Sequence, residues 1–116
     1  MHVLLINGSP HEKGCTYTAL SLVAGELNAA GITTEILNVG TKPVGGCIGC
    51  GGCAKGNGCV FGGVVNEAIE KARTADAFVF GTPVHYASAS GNMTSFLDRL
   101  AYAGGKYLAY KPAAIC

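Results

Sequence analysis

Short apolar runs alternate along this chain with segments whose apolar residues recur every three or four positions, and that alternation constrains the fold most. His2 to Ile6 is too short for a helix and almost wholly apolar, so it reads as a strand covered on both faces. Leu20, Val23, Ala24 and Leu27 follow at helical spacing, with Gly31 placed to end the helix. Thr33 to Val39 alternates more and reads as a second strand nearer a sheet edge. Val65, Ala68, Ile69 and Ala72 mark a second helix, and Ala77 to Phe80 a third buried strand. Met93, Phe96, Leu97 and Leu100 mark a third helix, and Lys111 to Cys116 starts a fourth strand.

Strands and helices in this order imply βαβ units, a parallel sheet and right-handed crossovers. The first strand runs into Gly8-Ser-Pro10 and not into G-x-G-x-x-G, which disfavours the dinucleotide fold. The expectation is an α/β, flavodoxin-like doubly wound parallel sheet of strand order 2-1-3-4-5. Three strands and the start of a fourth do not complete that sheet. Residues 1–116 are therefore expected to be a single domain whose C-terminal part is missing, truncated after the start of strand 4. In such sheets ligands sit beyond the carboxyl ends of the strands, so the loops after strands one and three should face one crevice.

Composition excludes several classes. Apolar residues make up 49% of the chain and charged ones 13%, too apolar for disorder. Net charge is +1 with no basic block, which argues against nucleic acid or an anionic membrane as partner. Val3 to Ile6, the longest apolar run near the start, is far too short for a signal peptide or a membrane span. A cytoplasmic setting is expected. There, four of six cysteines packed into thirteen residues point to metal or redox chemistry.

The first loop, Gly8 to Thr16, joins a buried strand to a helix start, where free N–H groups and the helix dipole suit a phosphate. Ser9 and Thr16 add hydroxyls and Lys13 or His11 charge; the plainer reading is a βα turn with Thr16 as N-cap. The second loop, Gly81 to Gly91, is stiffened by Pro83 and offers the rings of His85 and Tyr86 and the hydroxyls of Ser88 and Ser90. Its plainer reading is a surface loop whose serines cap the third helix. His85 has no visible partner, so no residue is assigned a catalytic role. Asp98-Arg99 reads as a surface or subunit contact and Asp76 as a turn residue.

Gly-Ser-Pro-x-x-x-Gly-x-Thr after strand one, with Gly-Thr-Pro-Val-His-Tyr-Ala-Ser-Ala-Ser-Gly-Asn-Met-Thr-Ser-Phe-Leu-Asp-Arg after strand three, closely resembles the NADPH-dependent FMN reductase family of the flavodoxin-like superfamily. The resemblance covers essentially the whole chain. It implies FMN, with phosphate in the loop of Ser9, Lys13, Cys15 and Thr16, and the isoalloxazine against Pro83, Val84, His85 and Tyr86, near the Ser88 hydroxyl. It also implies NAD(P)H as electron donor and a homo-oligomer. Cys15 stands where Asn is common in that family, and His11 where Arg is common.

Cys47-x2-Cys50-x2-Cys53-x5-Cys59 is a compact thiol set within a stretch holding seven glycines between Gly45 and Gly58. Soft thiolates suit iron–sulfur or zinc, and glycines let a short chain wrap a cluster. Zinc sites usually pair two C-x-x-C knuckles across a longer spacer, and the bacterial ferredoxin run has a last gap of three residues. The set is similar to that of the iron–sulfur flavoprotein branch, which implies a [4Fe–4S] cluster beside FMN. Free thiols, a reversible disulfide and zinc remain alternatives. Cys15 and Cys116 lie outside the set and read as small buried hydrophobes.

The function so implied is an FMN-dependent oxidoreductase that passes electrons from NAD(P)H through flavin to an unidentified acceptor, a small molecule or a ferredoxin-like protein. The alternative is an iron–sulfur flavoprotein electron carrier exchanging single electrons with ferredoxin-like partners. A flavodoxin-type carrier would show a strongly acidic docking face, which a net charge of +1 argues against.

Overall fold

A computed structural model describes residues 1–116. The elements in chain order are β1 (His2–Asn7), α1 (Cys15–Ala29), β2 (Thr33–Asn38), a 3-10 turn (Gly52–Lys55), α2 (Val64–Thr74), β3 (Ala77–Gly81), β4 (Val84–His85), β5 (Ser88–Ala89), α3 (Gly91–Leu108) and β6 (Ala113–Ile115). The main sheet is parallel, in the order β2-β1-β3-β6. This is the expected flavodoxin-like winding, with Lys111 to Cys116 supplying the strand beside β3.

Alternation along β1 explains why both faces need cover. Val3 and Leu5 point to one face and pack with Leu20 and Ala24 of α1 and Val79 of β3. Leu4 and Ile6 point to the other and join Val65, Ile69, Met93, Phe96 and Leu100 of α2 and α3. β2 lies at the sheet edge, as its weaker pattern predicts. α1 ends where expected: Gly31, at φ +80°, donates to the Asn28 carbonyl at 3.0 Å while Ile32 donates to Leu27 at 3.0 Å. That paired closure needs the left-handed backbone that glycine adopts at no cost.

Four local readings are corrected. Thr16 is not an N-cap: α1 starts at Cys15, Gly14 holds the cap position, and no side chain caps the helix. The segment after β3 is not a plain loop but a small antiparallel hairpin, β4 against β5, turning through Tyr86 (φ +48°) and Ala87 (φ +66°). Leu97 is 36% exposed, while its neighbour Arg99 turns inward and is 7% exposed. Cys15 and Cys116 are exposed, against the buried placement expected of them. No helix is long and apolar enough to cross a membrane.

Candidate functional site

Two loops leave the carboxyl edge of the sheet side by side. The Gly8 N–H donates to the Gly81 carbonyl at 2.8 Å, so the turn after β1 and the turn after β3 begin in contact. Ser90 locks them together. Its hydroxyl donates to the Gly8 carbonyl at 2.9 Å and accepts from the Met93 N–H at 3.2 Å, capping α3. Its own N–H donates to Thr82 Oγ1 at 3.1 Å. The loops after strands one and three therefore start side by side, and the expected serine cap on the third helix is Ser90.

Asn7, fully buried, shapes the first loop. Its amide donates to Asn38 Oδ1 at 2.9 Å and to the Glu12 carbonyl at 3.3 Å, and its Oδ1 accepts the Ser9 N–H at 3.1 Å. Ser9 is buried and its Oγ accepts the His11 N–H at 3.1 Å. Gly40 backs this turn so closely that a Cβ there would lie 2.3 Å from the Gly8 carbonyl oxygen and 2.4 Å from that of Ser9. Lys13 and Cys15 are exposed and Thr16 half-buried around the start of α1. That helix start has neither a side-chain cap nor an acidic residue in its first turn, whereas Ser90 caps α3 and Glu67 stands in the first turn of α2. Uncapped N–H groups at the positive end of a helix dipole fit a phosphate.

On the facing loop Pro83 is half-buried, and Val84, His85, Tyr86 and Ser88 are exposed on the hairpin. Tyr86 and Ala87 hold left-handed backbone conformations that non-glycine residues adopt only when the surroundings fix them. The hairpin thus presents Tyr86 outward at its tip.

The cysteine loop lies further along α3. Cys47, Cys50, Cys53 and Cys59 line one cavity of about 150 Å³, together with Arg99 and Tyr102. All six cysteines are free thiols. No three of the chain's His, Cys, Asp or Glu side chains converge on one ion position. A zinc ion would need its sulfurs gathered at about 2.3 Å from a single point. A [4Fe–4S] cluster instead takes one thiolate at each of four irons, so its ligands surround a void. Four cysteines around one cavity supply the number and type of ligand that the second requires.

Arg99 and Asn66 hold this loop, and neither was marked by the sequence reading as a site residue. Arg99 Nε–H donates to Cys59 Sγ at 3.3 Å, Nη1 to the Gly45 carbonyl at 3.3 Å and Nη2 to the Gly62 carbonyl at 2.9 Å. Its guanidinium also stands over the Phe61 ring at 5.5 Å. The expectation of a surface contact at Arg99 is therefore overturned: the residue faces inward because three polar groups of the cysteine loop need its donors. Asn66 accepts the Cys59 N–H at 2.8 Å and donates to the Cys59 carbonyl at 2.9 Å. Burial pushes the Cys59 thiol up, but the Phe61 backbone and the hydrogen bond and charge of Arg99 outweigh it, and the net shift is downward. Elsewhere in the set, the Gly49 N–H donates to Cys47 Sγ at 3.4 Å and the Cys53 thiol donates to the Tyr102 carbonyl at 3.8 Å.

α3 links the two regions. Ser90 at its cap serves the sheet-edge loops and Arg99 serves the cysteine loop, roughly 14 Å apart at a rise of about 1.5 Å per residue. Asn92, in the first turn, donates to the Gly40 and Lys42 carbonyls at 2.9 and 3.1 Å and accepts the Val44 N–H at 3.1 Å, anchoring the start of the cysteine loop.

Comparison with known proteins places these features. The profile of the family described as NADPH-dependent FMN reductase matches residues 1–116. An iron-sulfur flavoprotein of Archaeoglobus fulgidus is 33% identical over 99 residues, covering 85% of this chain and 48% of the relative. An iron-sulfur flavoprotein of Methanocaldococcus jannaschii is 30% identical over 99 residues, covering 85% and 51%. The chain thus spans about half the length of these curated relatives. Among solved structures, an NAD(P)H:quinone oxidoreductase from Methanothermobacter marburgensis superposes with a TM-score of 0.73 at 20% identity, covering 99% of this chain and 63% of that one. An apo NADH:FMN oxidoreductase gives 0.69 at 22% identity, covering 97% and 57%. At these identities the structural likeness speaks for the fold.

Proposed function

Since the chain belongs to the NADPH-dependent FMN reductase family, we propose that it works as a flavin-dependent oxidoreductase, taking electrons from NAD(P)H through FMN to an acceptor. FMN, when bound, supplies the ring that accepts a hydride and releases electrons, while the protein binds, orients and tunes it. The observation that carries this reading is the joined pair of loops, Gly8 to Gly81 and Ser90 to Gly8, opening beside the uncapped start of α1. The phosphate would be held by the N–H groups at that start, with Ser9, Lys13, Cys15 and Thr16 around it. Pro83, Val84, His85, Tyr86 and Ser88 would flank the ring from the facing hairpin. A homo-oligomeric, cytoplasmic enzyme with a small-molecule or ferredoxin-like acceptor completes the proposal.

Titration of the protein into FMN, read by flavin fluorescence, tests it. Saturable quenching, followed by bleaching of the flavin band with NADPH under anaerobic conditions, is expected. Unchanged fluorescence at high protein concentration would sink the reading.

A second reading has its own observation. Four thiols line one cavity, and Arg99 donates toward Cys59. They fit a [4Fe–4S] cluster held by Cys47, Cys50, Cys53 and Cys59, making the protein an iron–sulfur flavoprotein that exchanges single electrons with ferredoxin-like partners. Iron and acid-labile sulfide analysis of anaerobically prepared protein tests it. Neither element bound after reconstitution excludes the cluster.

A further inference from the structure

Burying a guanidinium is costly unless its charge is compensated. Arg99 is 7% exposed, yet the ion pairs of the chain involve only Lys71 and Arg73 as cations. No carboxylate pairs with Arg99. Two of its donors go to neutral carbonyls, of Gly45 and Gly62. The third, Nε–H, goes to the Cys59 sulfur, which lines the same cavity as the other three thiols. Among its hydrogen-bond partners, only this sulfur and whatever it ligates can carry an opposing negative charge. Asn66 fixes the Cys59 backbone at both its N–H and its carbonyl, which holds the Cα from which the sulfur projects in place beside Arg99.

We propose, on the premise that the four-cysteine set holds an iron–sulfur cluster, that Arg99 is the positioning residue that sets the cluster's reduction potential. Its Nε–H hydrogen bond to Cys59 Sγ and its charge, which no carboxylate neutralises, stabilise the added negative charge of the reduced state more than that of the oxidised state. Hydrogen bonds to cluster sulfurs and net local charge are the levers by which a protein moves such potentials. The two carbonyl contacts serve a different end: they close the loop around the cavity. A purely structural Arg99 would supply the second effect and leave the potential where it is.

The test is a redox titration of the reconstituted full chain, followed by the signal of the reduced, paramagnetic cluster, in wild type, Arg99→Gln and Arg99→Lys. Arg99→Gln is expected to lower the equilibrium constant for one-electron reduction at least tenfold, a midpoint about 59 mV more negative. Arg99→Lys keeps the charge without the Nε–H fork, and its midpoint should fall between the two. Loaded variants that titrate at the wild-type midpoint overturn the inference and leave the cluster reading intact. A wild-type chain that takes up no iron and sulfide overturns both.

A measurement on wild type guards against variants that fail to load. The chain has two arginines, Arg73 and Arg99. Arg73 is paired with Glu70 on α2 and stacked on Tyr107. With ¹⁵N-arginine incorporated, electron–nuclear spectroscopy of the reduced cluster should show coupling to one arginine nitrogen. No such coupling overturns the proposal whatever the variants do.

Discussion

The Ser90 hydroxyl donates to the Gly8 carbonyl at 2.9 Å, across a sequence separation of 82 residues. One oxygen thereby caps α3, through the Met93 N–H, and fixes the start of the loop proposed to hold phosphate. Ser90→Ala removes the cap, worth about 1 kcal/mol, and leaves the buried Gly8 carbonyl short of a partner, worth about 1–3 kcal/mol. Urea unfolding should show a loss of about 2–4 kcal/mol. FMN affinity should weaken as well, because the loop loses its tie to α3. A variant as stable as wild type would show that the hydroxyl holds neither element.

Gly40 offers a steric counterpart. A Cβ at this position would meet the backbone of Gly8 and Ser9 at 2.3–2.4 Å, and backbone atoms cannot rotate away as a side chain can. Gly40→Ala should therefore push the first loop off the sheet edge, at a cost of at least about 1–3 kcal/mol. FMN binding should fall by at least about tenfold, which corresponds to about 1.4 kcal/mol. Isothermal calorimetry with FMN on the folded variant checks this, and unchanged affinity would mean the loop position is not critical.

Two cysteines should separate by pH. In the metal-free chain Cys59 is drawn down by the Phe61 backbone and Arg99 against the upward push of burial, while partial desolvation of its thiol pushes the otherwise exposed Cys116 up. Since the thiolate is the reacting form, the pH of half-maximal iodoacetamide labelling should be lower at Cys59 than at Cys116. Peptide mass spectrometry over a pH series reads both sites at once. Arg99→Gln should move the Cys59 profile upward and leave Cys116 unmoved.

Lys71 ties α2 to the sheet edge through an ion pair with Glu35 of β2, with Glu67 alongside. The Glu35 hydrogen bond raises the Lys71 pKa above its ordinary 10.5, opposed by desolvation and aided by the charges of Glu35 and Glu67. A raised lysine stabilises the fold below its unfolded pKa, and that contribution is lost as pH rises through the folded value. Both side chains are partly solvated, so the pair is worth no more than about 1 kcal/mol. Glu35→Gln should be less stable than wild type by up to that amount at pH 8, and the gap should close above the lysine range. A gap that persists at high pH would assign the effect to packing.

Much of the fold was legible because its signals are local. The unbroken run at Val3 to Ile6 announces a strand covered on both faces, and Gly31 announces the end of α1. The phosphate-loop composition after β1 and the four-cysteine spacing are likewise visible in a few consecutive residues. The hairpin at Val84 to Ala89 was not legible, because Tyr86 and Ala87 are poor choices for left-handed turn positions and only the surrounding structure holds them there. Ser90 was legible as a helix cap, but its bond to Gly8 was not, and Asn92 and Asn66 were no more informative as letters than any other polar residue near a helix start.

The strands and helices of the main sheet, and the places where its two adjoining loops begin, were thus determined by sequence alone, since each follows from periodicity and turn chemistry over short stretches of backbone. Tertiary structure alone decided that Arg99 belongs to the cysteine loop. Its partners Gly62, Cys59 and Gly45 lie 37, 40 and 54 residues away. Which face of α3 meets them depends on how Met93, Phe96 and Leu100 seat that helix on the sheet, and no pattern within the helix records it.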